Sequence, residues 1–344
     1  MPNIYDVAKE AKVSVATVSA VVNDSAYVSP HLKARVTAAV KRLGYQPNLL
    51  ARSLAKQRSH MLGMIVPDIA NPFWPDVVRG AENVARAAGY TLLVASSDDE
   101  PAKEDVYLRL FLAKRVDGIL LTKAPGRLAE PVLQHLARTR TPVVQVSRLV
   151  DDTPGDAVLM DDRDAAYESV SHLLRLGFRR IAMISGLHGV TPSERRLLGY
   201  RQALRAFKRP YDKALVYEGD YRPGSGYDAG IALLKRKPDA VFVANSQMAV
   251  GFMKALQQYQ LRCPQDVALV TCDDHEWMDA FHPRLTTVNF PKHEIGATAV
   301  RVLVARIDER DRPFETHTLK SRLTIRESCG YPQRARAQQA QVHP

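Results

Sequence analysis

The first 55 residues contain three consecutive helix patterns, and their order constrains the fold more than any other feature of the chain. Asn3 and Ser14 are suited to begin the first two helices, which a tight turn at residues 12–13 separates. Ser29 and Pro30 favour the start of a third helix, and Gly44 favours its end. Apolar residues recur at helical spacing in all three patterns, at Ile4, Val7, Ala8 and Ala11, at Val18, Val21 and Val22, and at Leu32, Val36, Val40 and Leu43. Together these patterns predict an all-α helix-turn-helix domain over residues 1–46.

The second of these helices can enter the major groove of DNA, because its outer face is left to Val15, Ala16, Thr17, Ser19 and Ala20. The alternative is a small three-helix bundle with no role in nucleic-acid binding. The charge distribution favours DNA. Residues 1–60 contain nine Lys/Arg and three Asp/Glu, which is a net charge of +6 out of +11 for the whole chain. Neutralising DNA phosphates requires such a concentration of positive charge.

The order of motifs in this region closely resembles the LacI/GalR family of transcription regulators. The residues that carry the resemblance are Ile4-Tyr5-Asp6-Val7-Ala8, Val13-Ser14 with Thr17-Val18-Ser19, Gly44-Tyr45 with Pro47-Asn48, and Ala51-Arg52 with Leu54. The resemblance continues to about residue 330. It implies a homodimer that binds palindromic double-stranded operator DNA under the control of a small-molecule effector. Within residues 1–46, the DNA-contacting residues are expected to be Tyr5, Ser14, Val15, Ala16, Thr17, Ser19, Ala20 and Asn23.

The predicted recognition helix departs from the family pattern at one position. An Arg commonly follows Thr-Val-Ser in the family, whereas Ala20 stands there in this chain. Arg can donate two hydrogen bonds to guanine, but Val15, Ala16 and Ala20 can only pack against thymine methyl groups. We therefore expect less guanine readout at this position and more reliance on Thr17, Ser19, phosphate contacts and DNA shape.

Residues 47–58 form the next predicted element, a hinge helix or linker. Asn48 can cap a helix through Lys56, but a helix of about eight residues is marginal alone in water. The resemblance implies that Leu54 wedges into the minor groove and that Arg52 lies along phosphate. The alternative is an ordinary amphipathic linker. A segment that folds only when two copies meet on DNA would be suitable for a switch.

From Leu62 onward, short apolar runs alternate with helical stretches, which predicts parallel sheets with right-handed crossovers. The number of units predicts two similar halves that divide near Met160, within an effector-binding and dimerisation domain over residues 59–330. Late segments at 292–307 and 319–325 are expected to complete the halves. The resemblance implies a two-lobed, periplasmic-binding-protein-like (Rossmann-like) α/β domain, and residues 331–344 are predicted to be a disordered tail. The predicted strands are Leu62–Val66, Thr91–Ala95, Gly118–Leu121, Val143–Val146, Ile181–Ile184, Leu215–Tyr217, Ala240–Val243 and Val267–Val270.

Ligands bind at the carboxyl ends of strands in open parallel sheets, and polar groups follow most of the predicted strands. Ser97, Lys123 and Arg148 are candidates on this ground. The family resemblance implies that the segment of Asn71, Phe73 and Trp74 supplies aromatic contacts, that the Arg196 guanidinium donates hydrogen bonds and that Asp273 accepts them from ligand hydroxyls. Asp161, Tyr221 and Asn245 also match pocket positions of the family. Aromatic faces with bidentate polar groups suit a sugar or related polyol. Lys123, Arg148 and Arg196 together indicate a sugar acid or sugar phosphate as an alternative.

Several of these residues have simpler interpretations. Phe73 and Trp74 could be ordinary core aromatics, and Arg148 could be a solvated ion-pair partner. Residues 273–276 have the composition of a metal cluster, but adjacent loop residues rarely converge on one ion. With no nucleophile elbow, phosphate loop or dinucleotide motif, we expect neither an enzyme nor a cofactor.

The composition is that of an ordinary globular protein, with 46% hydrophobic and 25% charged residues. No apolar run is long enough to span a membrane and the start does not resemble a signal peptide, so a cytoplasmic location is expected. The odd number and wide spacing of Cys263, Cys272 and Cys329 argue against disulfides and zinc. The predicted function is therefore a transcription regulator, and the family resemblance implies a repressor. The rivals are a solute-binding or sensor protein and a sugar-processing enzyme with the same two-lobed core.

Overall fold

The computed structural model describes residues 2–24, 26–45, 58–149 and 155–331. The chain divides into two units, residues 1–60 and residues 61–344. The predicted hinge at 47–58, with Asn48, Arg52 and Leu54, falls almost entirely outside the described residues, as does the tail after Tyr331. Among the described residues, no helix is both long and apolar enough to cross a membrane.

The first unit is the predicted helix-turn-helix, formed by α1 (Ile4–Ala11), α2 (Val15–Asn23) and α3 (Pro30–Leu43). Asn3 caps α1 by accepting from the backbone N–H of Tyr5 (2.8 Å) and of Asp6 (3.2 Å). The Asp6 carboxylate accepts from the backbone N–H of Asn3 in return, which completes a capping box. Val7, Ala8, Ala11, Val18, Val36 and Ala39 are buried between the three helices and form a small core.

Two local predictions for this unit need correction. Ser29 precedes α3 as expected, but its side chain makes no capping hydrogen bond. Pro30 at the first position lacks an N–H and fixes a helical φ, so the helix can start without that bond. Val15 is half-buried and packs against the core cluster, so it is not a purely outward residue.

The first lobe of the second unit is a six-stranded sheet in the order β11-β5-β4-β3-β1-β2, with every neighbouring pair parallel. Helices pack on both faces of this sheet. Its elements are β1 (Met61–Val66), α4 (Phe73–Ala87), β2 (Thr91–Ser96), α5 (Pro101–Ala113), β3 (Gly118–Leu121), α6 (Glu130–Thr139), β4 (Val143–Val146), β5 (Asp156–Met160), α11 (Lys292–Asp308) and β11 (Thr316–Leu319).

The second lobe repeats this plan with the strand order β12-β10-β9-β8-β6-β7. Here β12 is antiparallel to β10, whereas the other pairs are parallel. Its elements are α7 (Asp162–Arg175), β6 (Ile181–Ser185), α8 (Thr191–Ala206), a 3₁₀ turn (Lys213–Leu215), β7 (Val216–Glu218), α9 (Pro223–Leu234), β8 (Ala240–Val243), α10 (Ser246–Gln258), β9 (Ala268–Cys272), a 3₁₀ turn (Glu276–Asp279), β10 (Thr286–Asn289) and β12 (Arg322–Thr324).

The chain crosses between the lobes three times, after β5, after β10 and after β11. The division near Met160 and the return of the late segments follow the prediction, and the predicted fold class is confirmed. Strands β5 and β10, most of β11 and helix α6 had no counterpart among the predicted elements. Fully buried β5 lacks an alternating pattern, and such short apolar strands cannot be told from other buried segments by periodicity.

Close helix packing within each lobe depends on glycine. A Cβ at Gly199 in α8 would lie 2.1 Å from the backbone oxygen of Arg163 in α7, and one at Gly80 in α4 would lie 1.9 Å from the backbone oxygen of His293 in α11. Any side chain at these positions would push the paired helices apart. This packing fixes where the amino ends of α7 and α11 stand relative to the strand ends.

Candidate functional site

The first candidate site is the outer surface of the helix-turn-helix. Tyr5 is 70% exposed, and Ser14 and Ala16 are also exposed. Thr17, Ser19 and Ala20 are half-buried on the same helix as Val18, which is fully buried. The backbone of Asn23 ends α2, and its side chain lies outside what the structure describes. Apart from partly packed Val15, the described candidate residues therefore lie on the accessible side of α2 and at the start of α1.

The turn that orients α2 is held by cations from α3. Arg35 donates through Nη2 to the backbone oxygens of Ala11 (2.6 Å) and Lys12 (3.1 Å). Lys12 itself adopts a left-handed backbone, with φ of 50°. Arg42 adds an ion pair to Glu10 at 2.5 Å. Arg35 and Arg42 therefore stabilise the fold, and only the remaining positive charges of this unit are available to bind DNA phosphates.

Polar groups at the start of α2 are partly engaged with one another. The Ser14 hydroxyl accepts from the backbone N–H of Thr17 (3.1 Å) and lies 2.9 Å from the Thr17 hydroxyl. This pair caps the helix and fixes both hydroxyls at its exposed end. The side chains of Ala16 and Ala20 offer only methyl groups, which can contact thymine but cannot hydrogen-bond a base.

The second candidate site is a cleft between the lobes, at the carboxyl ends of the strands of both sheets. It contains about 560 Å³ of atom-free space, part of which is open to solvent. Eight of the predicted effector-binding residues line it, together with eight others. The lining residues are Pro67, Asp68, Asn71, Phe73, Trp74, Asp99, Ser147, Arg148, Met160, Pro192, Arg196, Asp220, Tyr221, Arg222, Asn245 and Asp273. Both lobes therefore contribute to one polar cavity.

Four residues of the cleft have a left-handed backbone although none is glycine. Their φ values are 61° at Asp99, 66° at Ser147, 67° at Tyr221 and 71° at Asp273. Such conformations are uncommon for residues with a side chain and cluster at functional sites. Each of the four residues lies in the loop after a strand and lines the cleft.

A buried ion pair joins two helices on the second-lobe side of the cleft. Arg196 of α8 donates through Nε to Asp162 Oδ1 (2.8 Å), and its Nη2 lies 2.7 Å from the same oxygen. Arg196 also donates to the backbone oxygen of Ala244. The side chains are only 4% and 1% exposed, and burial raises the pKa of the Asp162 carboxyl against the opposing charge of Arg196. This pair holds one guanidinium rigidly at the cleft.

The first lobe contributes a second, slightly more accessible pair. Arg148 Nη1 lies 2.5 Å from Asp99 Oδ1 and donates to the backbone oxygen of Lys123 at 2.8 Å. Its guanidinium carbon is 6.0 Å from the ring centroid of Tyr221 in the other lobe. Arg148 is therefore a buried ion-pair partner in the cleft, and the interpretation as a solvated one is wrong.

Asp273 is a buried carboxylate in the cleft lining. It is 4% exposed, and burial raises the pKa of its carboxyl to about 6, although Arg196 and Lys292 act in the opposite direction. Near neutral pH it is mainly ionised, and a carboxylate accepts hydrogen bonds from ligand hydroxyl groups. A modest acidification would protonate it.

The aromatic and amide residues shape the rest of the cavity. Phe73 and Trp74 are each 5% exposed, with ring centroids 5.2 Å apart in an edge-to-face arrangement, so they belong to the core and also line the cleft. The Asn245 amide donates to the backbone oxygen of Tyr221 (2.9 Å) and its oxygen accepts from Met248 N–H. Asn71 accepts from the N–H of Phe73 at 3.1 Å. These bonds position the cavity walls.

Tyr221 reaches its place because Gly186 has no side chain. A Cβ at Gly186 would lie 2.0 Å from the Tyr221 ring. The phenol oxygen is 2.6 Å from the Ser193 hydroxyl, and burial raises the pKa of the phenol. Tyr221 is thus a neutral hydrogen-bonding group at the lobe boundary.

Three predicted effector-binding residues do not line the cleft. Lys123 forms a buried ion pair with Glu104 (Nζ–Oε1, 3.0 Å), and Ser97 is fully buried, with its hydroxyl donating to the backbone oxygen of Val66 at 3.4 Å. Asp161 accepts from the backbone N–H of Ser321 (2.9 Å) and lines a separate surface depression. Ser97 and Lys123 were selected because they follow strands, and Asp161 was selected by family resemblance, but each of these side chains has its partners outside the cleft.

Several lining residues were not selected from the sequence. Asp220 and Arg222 directly follow β7, so the rule that selected the other strand ends would have found them had it been applied there. Met160 ends β5, which the pattern did not predict. Asp99 lies two residues after the predicted Ser97, and Asp162 directly follows the predicted Asp161. Their ion pairs with Arg148 and Arg196 depend on the tertiary structure, so the sequence did not indicate them.

Direct hydrogen bonds also join the two lobes around the cleft. Arg222 of the second lobe donates to the backbone oxygen of Asp98 at 2.9 Å, and the Thr191 hydroxyl accepts from the N–H of Leu149 at 2.9 Å. Lys292 pairs with Asp76 at 3.2 Å and donates to the backbone oxygen of Asp274 at 2.7 Å. The observed arrangement of the lobes is therefore stabilised by polar contacts that a hinge motion would break.

The residues that compositionally resemble a metal cluster are engaged in other contacts. Asp274 pairs with Arg326 (2.8 Å), and His275 Nε2 is 3.0 Å from the Ser246 hydroxyl. Burial lowers the pKa of His275 to about 4, so it is neutral at physiological pH. In the part of the chain that the structure describes, no group of three or more His, Cys, Asp or Glu is arranged to hold a metal ion.

Comparison with known proteins assigns both units. The family model "Bacterial regulatory proteins, lacI family" matches residues 3–48, and the model "Periplasmic binding protein-like domain" matches residues 170–329. Catabolite control protein A of Priestia megaterium is 34% identical to this chain, over 94% of this chain and 98% of that protein. The solved complex of the transcriptional regulator CelR with cellobiose is 31% identical, with a TM-score of 0.72, over 95% of this chain and 100% of that one.

A lac repressor dimer, solved bound to operator and the anti-inducer ONPF, is 27% identical with a TM-score of 0.84, over 95% of this chain and 99% of that one. These similarities run through both the helix-turn-helix and the two-lobed unit. The relatives are regulators, and neither the solute-binding nor the enzyme alternative is favoured by them. The chain belongs to the LacI family of bacterial regulatory proteins and is a DNA-binding transcriptional regulator.

Proposed function

We propose that this regulator binds a palindromic operator as a homodimer and that a neutral, hydroxyl-rich ligand in the interlobe cleft, such as a sugar, controls its affinity. The observation that carries the proposal is the pairing of cleft cations with carboxylates. Arg148 and Arg196 each have an ion-pair partner, Asp99 and Asp162. Lys123 was the third cation that suggested an anionic ligand, but it forms an ion pair with Glu104 away from the cavity. A sugar acid or phosphate would find no unpaired positive charge among these three.

The overall charge of the lining supports the same choice. Its charged residues are four acids and three arginines, namely Asp68, Asp99, Asp220 and Asp273 with Arg148, Arg196 and Arg222. An anion would be repelled by this balance, whereas a hydroxyl can donate to Asp273 and accept from the arginine donors. Bound cellobiose in the CelR complex is consistent with a ligand of this class. Among the described lining residues, the cleft presents binding groups and no nucleophile paired with a general base, so we propose no catalytic role.

Control of DNA binding would follow from the lobe contacts. A ligand that bridges both lobes favours one relative arrangement, and the two copies in a dimer transmit it to their DNA-binding domains. Couplings of this kind are typically about 1–3 kcal/mol, or about 5- to 150-fold in affinity. Both signs, induction and corepression, are compatible with this geometry.

Random-sequence selection with the full chain at fixed salt, followed by titration of the selected site with neutral sugars, sugar acids and sugar phosphates, tests the proposal. We expect a palindromic site whose affinity shifts with a neutral sugar. A response to a phosphorylated or acidic sugar alone would refute the neutral-ligand assignment, and the absence of any sequence-specific site would refute the operator role. The same selection tests the recognition helix, since an obligatory guanine read at the position of Ala20 would contradict the expected weak guanine readout.

A further inference from the structure

The strongest unassigned feature lies at the opposite end of the second lobe from the cleft. Four loops meet there, before β9, β8, β6 and β7, which are neighbours in the sheet. We call this surface the basic end and define it as residues 175–180, 205–215, 235–239 and 259–267. It contains eleven Lys/Arg and three Asp/Glu, a net charge of +8, whereas the rest of residues 61–344 has a net charge of −3. Positive charge in this unit is therefore concentrated on one face.

All eleven cations of the basic end are exposed. Three of them form ion pairs, namely Arg175 with Glu168 (3.5 Å), Arg180 with Asp212 (3.7 Å) and Arg262 with Asp266 (3.2 Å). Within the described residues, the other eight form no ion pair, and these are Arg179, Arg205, Lys208, Arg209, Lys213, Lys235, Arg236 and Lys237. Most of the positive charge is thus available to an external partner.

Contacts between the loops give this surface a defined shape. Arg180 Nε donates to the backbone oxygen of Arg236 at 2.9 Å, and Asp239 accepts from the backbone N–H groups of residues 179 and 180 at 2.8 and 3.0 Å. The Arg201 guanidinium lies 4.5 Å from the ring centroid of Tyr211 and donates to its hydroxyl at 3.0 Å. A shallow depression beside this pair is lined by Arg205, Lys208 and Arg209.

Helix dipoles explain only part of this charge. Helices α7, α8, α9 and α10 all end at the basic end, and cations near helix carboxyl ends are stabilising. Four helix ends contribute a charge of about −2 in total, which leaves most of the +8 uncompensated. The first lobe has nearly the same topology, yet the loops before β2, β3, β4 and β11, which also lie at the amino ends of their strands, contain six Lys/Arg and four Asp/Glu over residues 88–90, 114–117, 138–142 and 309–315. The fold therefore does not require the excess.

We propose that the basic end binds the phosphate backbone of duplex DNA without sequence preference, as a second DNA contact separate from the helix-turn-helix. The four strands span about 14 Å, along which a duplex carries about eight phosphate charges, similar to the charge of the basic end. Among its described residues, Tyr211 and Tyr259 are the large apolar side chains that are exposed. A protein interface would need a larger apolar core, so the surface favours a polyanion. The proposal does not depend on the identity of the cleft ligand.

The test uses the full chain with its helix-turn-helix occupied by selected operator at one duplex per dimer, so that no free operator competes for the basic end. A fluorescent duplex of unrelated sequence is then titrated into this complex, and its anisotropy is measured between about 50 and 200 mM salt. The variant is Arg205→Ala/Arg209→Ala/Lys235→Ala. Its control is Lys114→Ala/Arg138→Ala/Arg310→Ala, which removes three exposed cations from the corresponding end of the first lobe. Unchanged operator affinity shows that both variants retain their fold.

We expect the wild-type complex to bind the second duplex. The basic-end variant should bind it about 10- to 100-fold more weakly, with a salt slope smaller by about 2.7 for three lost phosphate contacts. The control should bind as the wild type does. Failure of the wild-type complex to bind a second duplex, or an equal loss in both variants, would overturn the proposal. Tighter binding of polyglutamate than of duplex would also overturn it, since it would indicate an acidic protein as the partner.

Discussion

The two lobes have nearly the same topology, but they resemble each other in function at only one end. At the carboxyl ends of their strands, each lobe supplies one arginine–aspartate pair to a shared cleft, Arg148–Asp99 from the first and Arg196–Asp162 from the second. At the amino ends, the loops of the second lobe have a net charge of +8 and those of the first +2. Shared topology therefore places loops at equivalent positions, and the residues in those loops decide what each surface can bind.

The cleft pairs differ in how deeply they are buried, and this difference predicts the largest effect. Asp162 is 1% exposed and Asp99 is 13% exposed. Arg196→Ala leaves a fully buried carboxylate without its partner, so we expect a loss of about 3–5 kcal/mol in the free energy of unfolding. Arg148→Ala should cost clearly less, because water can solvate Asp99. Urea unfolding of both variants measures the difference.

The double variant Arg196→Met/Asp162→Leu serves as the control for this comparison. It removes both buried charges, so it should regain most of the stability that Arg196→Ala loses. Equal costs for Arg196→Ala and Arg148→Ala would show that the two lobes hold their pairs in equivalent environments, contrary to the structure.

A second prediction concerns the pH dependence of ligand affinity, which we expect to depend on Asp273 of the second lobe and not on Asp99 of the first. Burial raises the pKa of Asp273 to about 6, and in the proposed function a ligand hydroxyl donates to its ionised form. Protons therefore compete with the ligand as the pH falls through 6, and the ligand dissociation constant should rise about tenfold between pH 7 and pH 5. Calorimetric titration with the ligand identified by the operator assay measures this.

Asp273→Asn should bind more weakly at pH 7 and lose the pH dependence, whereas Asp99→Asn in the first lobe should retain it. A pH dependence that survives in Asp273→Asn would assign the titration to another group and contradict the role of this carboxylate.

The smallest expected effect is on the contacts between the lobes. Arg222 donates across the cleft to the backbone oxygen of Asp98. Arg222→Ala removes this bond, which contributes about 1 kcal/mol to the observed arrangement of the lobes, and it also removes one donor from the cleft lining, so ligand affinity should change by about fivefold and the free energy of unfolding by no more than about 1 kcal/mol. Arg201→Ala, a cation of the same lobe that makes no contact across the cleft, is the matched control. An equal change in both variants would mean that Arg222 acts through general charge and not through the lobe contact.

Much of the architecture followed from the sequence alone. The helix-turn-helix was predictable because its caps and apolar spacing are local, and Asn3, Ser14 and Gly44 stand at the helix ends where the pattern placed them. The alternation of strands and helices predicted parallel sheets, and the strand-end rule together with family resemblance found Asn71, Phe73, Trp74, Arg148, Arg196, Tyr221, Asn245 and Asp273 in the cleft lining. Their role in ligand binding stays a prediction.

Only the tertiary structure decided which side chains meet. Neighbouring residues at a helix start point about 100° apart, so Asp162 reaches Arg196 while Asp161 bonds to the backbone of Ser321. Lys123 follows a strand as the cleft residues do, but it forms a buried ion pair with Glu104 of α5 and does not reach the cleft. The basic end is likewise invisible in any one segment, because four loops far apart in sequence meet there through the strand order. Local periodicity determines elements, whereas contacts between distant residues depend on how those elements pack.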